Sequence, residues 1–156
     1  MSELTPEKFF IRDAWYVVAW PHELTADKPL ARTVLGDDLV LFRTPEGQAV
    51  ALEDRCAHRL APLSLGRIES GGIRCMYHGV KFSVNGQCAE IPAQPAGHPG
   101  MCVKHYPLVE KDGFIWVWMG DPALASDTPV MDAPWHSVMT SQKLTAKGRH
   151  LFRLSL

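Results

Sequence analysis

The chain has 156 residues, 46% of them hydrophobic, and a formal net charge of −1 at pH 7. This length is enough for one domain with a hydrophobic core, and the near-neutral charge gives no reason to expect binding to nucleic acid or to an anionic membrane. The longest apolar run, residues 15–20, is too short to cross a bilayer, and the first residues lack both a signal-peptide core and a twin-arginine pair, so we expect a cytoplasmic protein.

Most of the chain reads as short β-strands. Segments rich in β-branched, aromatic or leucine residues are separated by turn residues, and neither a long amphipathic helix nor an internal repeat is visible. These segments predict an all-β fold, an antiparallel sandwich or a small barrel. The predicted strands, in chain order, are 15–20, 32–35, 38–44, 48–53, 73–74, 80–84, 87–91, 106–110 and 114–119.

Turn residues connect several of these strands. Residues 45–47 and 111–113 are typical of hairpin connections, and Asn85-Gly86 predicts a two-residue type I′ turn. Residues 92–100 are rich in Pro and Gly and are predicted to form a loop. Residues 120–137, rich in Pro, Ala and Asp, indicate a linker or a crossover that follows the surface.

The chemistry of the chain is concentrated in four residues. Cys56 and His58 are separated by one residue, and after sixteen more residues Cys75 and His78 are separated by two. Two thiolates and two imidazoles suit either a tetrahedral zinc ion or a Rieske [2Fe–2S] cluster. Zinc fingers usually present like ligands in each half, whereas here each half offers one Cys and one His, as a Rieske cluster requires. We therefore favour the cluster and keep a structural Cys2His2 zinc module as an alternative.

The segments around these residues resemble a known family. Residues 54–66, 75–79 and 113–122 are similar to the N-terminal Rieske domain of Rieske non-haem iron oxygenases, in particular the vanillate O-demethylase and dicamba monooxygenase group. Residues 13–20 and Glu23-Leu24 also resemble the start of that group. The resemblance implies a Rieske iron–sulfur fold, an antiparallel β-sandwich or small barrel in which a hairpin subdomain at about 54–92 binds the cluster.

The resemblance also implies roles and partners. Cys56 and Cys75 would ligate the inner iron, and His58 and His78 the outer iron. The domain would accept one electron from a ferredoxin or a flavin/NADH reductase. It would pass that electron to a mononuclear Fe(II) in a neighbouring oxygenase subunit, typically within a trimer. The overall reactions in the family are O2-dependent hydroxylation or demethylation of aromatic compounds, by mono- or dioxygenation.

One expected motif is missing from the sequence. The mononuclear iron of this family is held by two His and one carboxylate, written Asp-x-x-His-x-x-x-x-His, and no such stretch occurs; His136 and His150 have neither the spacing nor the carboxylate. We therefore predict a Rieske domain at 1–122, followed at 123–156 by a Pro-rich crossover and the truncated start of a catalytic domain. The mononuclear iron would lie only in the missing catalytic domain, so this chain alone would transfer an electron without oxygenating a substrate. A free-standing Rieske ferredoxin remains an alternative.

The neighbours of the four residues predict a low reduction potential. High-potential respiratory Rieske proteins carry an extra Cys in each loop and a Ser after the second His-Gly, whereas here Val80 follows Gly79 and cannot donate a hydrogen bond to a cluster sulfur. We expect the low end of the Rieske range, which runs from about −150 to +300 mV.

Residues outside the motif receive mostly structural interpretations. Cys88 and Cys102 are predicted to be buried packing residues, and Trp116 and Trp118, which share one face of a strand, to pack in the core. Arg59, next to His58, either steers an acidic partner or is an ordinary solvated arginine.

Overall fold

The computed structural model describes residues 10–92, 94 and 97–132, which form antiparallel β-structure with three single 3₁₀ turns. The all-β prediction is therefore confirmed. His136, His150 and the trailing part of the predicted catalytic-domain start, residues 133–156, lie outside the described residues. The strands are β1 (Ala14–Ala19), β2 (Leu30–Val34), β3 (Asp37–Arg43), β4 (Ala49–Glu53), β5 (Arg67–Glu69), β6 (Gly72–Arg74), β7 (Lys81–Ser83), β8 (Cys88–Glu90), β9 (His105–Tyr106), β10 (Leu108–Lys111) and β11 (Phe114–Met119).

The strands form three sheets. The first sheet has the order β1-β11-β10, the second β2-β3-β4-β9 and the third β5-β6-β7-β8. The predicted strand 106–110 is divided between the second and first sheets, because Pro107 has no N–H to continue a ladder. The third sheet carries Cys75 and His78 in the connection between β6 and β7.

Strand β3 contributes to two hydrophobic cores because its side chains alternate between the two faces of the second sheet. Leu39 and Leu41 pack into a core shared with the first sheet, whereas Val40 and Phe42 pack into a core shared with the third sheet. All four side chains are fully buried, and burial of each contributes about 1.5–3 kcal/mol. The second sheet is thus a common wall between the two cores.

The hairpin at Asn85-Gly86 differs from its prediction. Gly86 has a φ of +81°, but Asn85 does not adopt a positive φ, and the turn closes through the Gly86 N–H donating to the Ser83 carbonyl. The type I′ assignment is therefore wrong, because that turn needs positive φ at both central residues. A Cβ on Gly86 would lie 2.2 Å from the Val103 carbonyl oxygen, so a residue with a side chain does not fit beside the main chain at Val103.

A true two-residue turn of this kind joins β10 and β11. Asp112 and Gly113 have φ values of +53° and +77°, and Lys111 pairs with Phe114. The hairpin predicted at 111–113 is thereby confirmed.

The chain after β11 lies against the first sheet. The Trp15 indole donates to the Thr128 carbonyl at 2.8 Å, and the Trp15 and Trp118 rings meet edge-on with centroids 5.4 Å apart. Trp116 and Trp118 are both buried, which confirms that they are packing residues. None of the helical segments within the described ranges is long and apolar enough to span a membrane.

Candidate metal centre

Two loops bring the four motif residues together. The first loop, residues 54–62, follows β4, and the second loop, residues 75–80, connects β6 to β7. Cys56 and Cys75 are each 2% exposed, and their thiols are neighbours. The His58 and His78 rings are exposed and meet edge-on with centroids 4.7 Å apart. The site therefore has a buried sulfur pair and a nitrogen pair at the surface.

The two loops share one main-chain fold. In each loop the cysteine N–H donates at 2.8 Å to the carbonyl five residues on, and the N–H four residues on donates back to the cysteine carbonyl, at 2.8 Å in the first loop and 3.1 Å in the second. The residue in that fourth position has a left-handed conformation in both, Leu60 at φ +59° and Gly79 at φ +73°. Equivalent loops present their cysteines in equivalent ways, although the histidine follows by two residues in one loop and by three in the other.

Side chains outside the motif close each loop. The Asp54 carboxylate accepts hydrogen bonds from the Ser64 N–H at 2.7 Å and from its hydroxyl at 2.6 Å, which ties the start of the first loop to the turn beyond its end. In the second loop, the Arg74 guanidinium donates to the Gly79 carbonyl at 2.8 Å. A Cβ on Gly79 would lie 2.8 Å from Pro92 Cγ, so a larger residue does not fit there.

The donor set fits a Rieske cluster. One iron of such a cluster takes two thiolates and the other takes two imidazoles, and the site pairs sulfur with sulfur and nitrogen with nitrogen. A single tetrahedral zinc needs all four donors around one point. In the part of the chain that the structure describes, no three His, Cys, Asp or Glu side chains form a group that could hold one metal ion.

The Cys56 thiol is influenced by burial and by its neighbours. Burial raises its pKa, the main-chain N–H of His58 lowers it, and the adjacent Cys75 thiol raises it again. Loading a metal group on these sulfurs therefore displaces protons, since the thiolate is the ligand.

The two loops expose apolar and basic side chains beside the two histidines. We call this surface the outer rim. Tyr77 lies against His78 with ring centroids 3.9 Å apart, and Arg55 pairs with Glu53 at 2.8 Å. The outer rim consists of the exposed loop residues Arg55, Arg59, Leu60, Met76 and Tyr77.

The two remaining cysteines differ from each other. Cys88 is buried, as predicted, but Cys102 is exposed, so the prediction that it is a packing residue is wrong. Along residues 101–103, Met101 and Val103 pack against the core shared with the third sheet, so the alternating backbone directs Cys102 to solvent.

The side chain of Val80 is buried and apolar, as the low-potential prediction assumes.

Sequence reasoning did not identify the two loop-closing residues. The first of them, Asp54, lies with its partner Ser64 in the segment that resembles the oxygenases, but the sequence gives no sign that the two side chains form a hydrogen bond. Arg74 gave no signal, because its partner in the second loop is a main-chain carbonyl.

Comparison with known proteins agrees with this geometry. Residues 14–107 match the family described as Rieske [2Fe–2S] domain. The iron–sulfur subunit TsaM1 of the toluene-4-sulfonate monooxygenase system of Comamonas testosteroni is 48% identical over 127 residues, 81% of this chain and 37% of the relative. The oxygenase component of dicamba O-demethylase from Stenotrophomonas maltophilia is 47% identical over 124 residues, 79% of this chain and 36% of the relative.

A solved structure shows the same fold. The crystal structure of apo dicamba monooxygenase superposes with a TM-score of 0.76 at 45% identity, covering 82% of this chain and 40% of that chain. The chain thus spans little more than a third of the length of the relatives that it matches.

Proposed function

The chain belongs to the Rieske [2Fe–2S] domain family, and from this premise we propose that it is the electron-transfer domain of an oxygenase that hydroxylates or O-demethylates aromatic compounds. The observation that carries the proposal is the pairing of buried thiols and exposed imidazoles on two equivalent loops. The relatives named above are components of monooxygenase and O-demethylase systems, which supports the class of reaction.

We assign Cys56 and Cys75 as the buried ligands and His58 and His78 as the outer ligands of the cluster. When bound, a [2Fe–2S] cluster supplies a one-electron redox couple. The burial of the two thiols keeps water away from the sulfur side. The exposed imidazoles leave the nitrogen side at the protein surface, where an electron-transfer partner can approach closely.

The outer rim supports a particular kind of electron donor. Arg59, and Arg55 with its ion-pair partner Glu53, adjoin exposed apolar side chains of the two loops, a combination that favours an acidic partner with an apolar centre. The donor we propose is a ferredoxin or a flavin/NADH reductase. The proposed acceptor is a mononuclear non-haem iron in a neighbouring oxygenase subunit of a trimer.

Metal analysis tests the assignment of the ligands. The purified chain should be reddish-brown and contain the iron and acid-labile sulfide of one [2Fe–2S] cluster per chain. Cys56→Ser should abolish the colour, and Cys102→Ser, a change at an exposed cysteine outside both loops, should retain it. A colourless chain with one zinc ion would overturn the proposal and favour the zinc module.

Potentiometry tests the class of cluster. We expect a midpoint at the low end of the Rieske range, and a value above about +100 mV would contradict this expectation. A His58→Cys variant that retains a cluster should have a lower midpoint, because a thiolate replaces a neutral ligand.

Reduction kinetics test the role of the outer rim. Arg59→Gln should slow second-order reduction by an acidic ferredoxin several-fold at low ionic strength, and the difference should vanish at high salt. Arg32→Gln, on β2 outside the outer rim, is the matched control and should leave the rate unchanged. A rate for Arg59→Gln equal to that of the wild type at low salt would exclude steering by this arginine.

A further inference from the structure

Arg74 holds a position that the function proposed above leaves unexplained. It is the last residue of β6 and directly precedes Cys75, and its side chain is 15% exposed. Its Nε atom donates to both carboxylate oxygens of Glu69, at 2.8 and 2.9 Å, and Nη2 donates to Glu90. Nη1 donates to the Gly79 carbonyl at 2.8 Å. All three guanidinium nitrogens are therefore engaged, and one of them binds the second loop.

The carbonyl that Arg74 binds belongs to the residue after His78. The Gly79 N–H donates to the Cys75 carbonyl at 3.1 Å, so both main-chain polar groups of Gly79 are bound within this short segment. Pro92 blocks the space where a side chain on Gly79 would lie. Gly79 therefore has little conformational freedom, and this restricts the main chain of His78, the residue before it.

We propose that Arg74 is a positioning residue for His78, acting through the Gly79 carbonyl to fix the direction in which the imidazole faces its partner His58. This inference rests on the proposed function, since it treats His78 as a ligand. The hydrogen bonds of Arg74 described above go to two carboxylates and a main-chain carbonyl, and none of them goes to a ligand side chain. The role of Arg74 is to hold the second loop in one conformation.

Two carboxylates hold the Arg74 guanidinium in place while it binds the second loop, an arrangement that we call the clamp. Arg74 holds the pKa of Glu69 at about 2, and the pKa of Glu90 is also lowered, chiefly by Arg74. Both carboxylates therefore stay ionised at neutral pH and anchor the guanidinium from two sides. Lys81 adds a further contact to Glu90 at 3.3 Å. The planar guanidinium can satisfy two carboxylates and a carbonyl at once, which a lysine ammonium with its single nitrogen cannot do in the same geometry.

The chain provides a matched control in Arg67. This arginine lies opposite Arg74 on β5 and pairs with the same Glu69 carboxylate at 2.7 Å, but its side chain is 68% exposed. Replacement of either arginine by lysine keeps the net charge. Only the change at position 74 removes the hydrogen bond to the second loop.

The experiment compares Arg74→Lys and Arg67→Lys in the cluster-loaded chain. We expect Arg74→Lys to shift the g-values of the reduced cluster in the electron paramagnetic resonance spectrum, and to accelerate cluster loss to a chelator about tenfold. We expect Arg67→Lys to match the wild type in both measurements. Equal effects of the two variants, or no effect of Arg74→Lys, would overturn the positioning role.

Amide hydrogen exchange provides a second readout that does not depend on the identity of the metal group. Protection of the Gly79 N–H should fall about tenfold in Arg74→Lys and remain unchanged in Arg67→Lys. If Arg74→Lys fails to fold, Glu90→Gln weakens the same anchor without altering the residue next to Cys75, and should lower Gly79 protection in the same direction. Unchanged protection in the variant that folds would overturn the clamp, whereas a wild-type chain without iron and sulfide would overturn the proposed function instead.

Discussion

Gly66 lies between the 3₁₀ turn Leu63–Leu65 and β5. Its replacement would test how tightly this segment packs against the main chain that precedes the second loop. Gly66 has an extended conformation at φ −82°, so its requirement for glycine comes from close packing and not from its backbone angles. A Cβ at this position would lie 2.2 Å from the Arg74 carbonyl oxygen and 2.9 Å from the Leu63 carbonyl oxygen. Gly66→Ala should therefore push the main chain just before Cys75.

The cost of Gly66→Ala follows from these distances. An ordinary contact of about 3.4 Å requires the Arg74 carbonyl to move by about 1 Å, and both crowded groups are main chain, which yields less than a flexible side chain. Overpacking typically costs about 1–3 kcal/mol, and we expect the upper end here. Alanine recovers about 0.5–1 kcal/mol by restricting the unfolded chain. The net loss should be about 2 kcal/mol, a decrease in melting temperature of about 7 °C for a chain of this size.

The matched control is Gly71→Ala on the β5–β6 turn. Gly71 has a φ of +73° with no atom within 4 Å of the built Cβ, so alanine there displaces no neighbour. Left-handed strain costs about 1–2 kcal/mol and restriction of the unfolded chain recovers about 0.5–1 kcal/mol, which leaves a net loss of about 1 kcal/mol. Thermal unfolding and the electron paramagnetic resonance spectrum should both change in Gly66→Ala. Only the melting temperature should change, by about half as much, in Gly71→Ala. Wild-type stability and an unaltered spectrum in Gly66→Ala would contradict close packing of Gly66 against the Arg74 carbonyl.

Three further predictions concern stability. Asp54→Asn should lose about 2 kcal/mol in urea unfolding, because the charge-assisted bonds from Ser64 are weakened, and a loss below about 0.5 kcal/mol would contradict that contact. The hydrogen bond from Arg74 lowers the pKa of Glu69 from 4.5 to about 2, so the advantage of the wild type over Glu69→Gln should be present above about pH 4.5 and disappear as the pH falls towards 2; urea midpoints at several pH values test this, and a constant difference would count against it. Trp15→Phe removes the indole donor to the chain after β11 and should cost about 1 kcal/mol, with faster amide exchange in residues 120–130; unchanged exchange there would argue against this contact.

The strands that the sequence predicted best are those with continuous apolar character. Strand β11 was predicted with its observed bounds because five of its six residues are β-branched or aromatic, and the strand is bounded by a turn signal on one side and Gly120 on the other. Strand β5 was missed because it has three residues, two of them charged, and forms only because β6 lies alongside it. Short strands of this kind are specified by their partner more than by their own residues.

The four proposed ligands could be identified from the sequence for a different reason. Cys and His are rare side chains whose chemistry does not depend on the fold, so their spacing alone predicts a metal group. The structure adds the grouping of thiol with thiol and imidazole with imidazole. The contacts of Asp54 and Arg74 could not be predicted, because they involve main-chain atoms that come within reach only after the loops have folded.

The position of the second sheet limits how the hairpins that carry the four Cys and His residues can be used in protein engineering. Residues 54–92 look like a self-contained module in the sequence, but the core beneath them includes Val40, Phe42, Val50 and Leu52 from β3 and β4. An excised peptide of those residues would expose the apolar surface that these four side chains cover, and would lack the burial needed for autonomous folding. Transplantation of this centre into another scaffold would therefore require a sheet with apolar residues on the matching face.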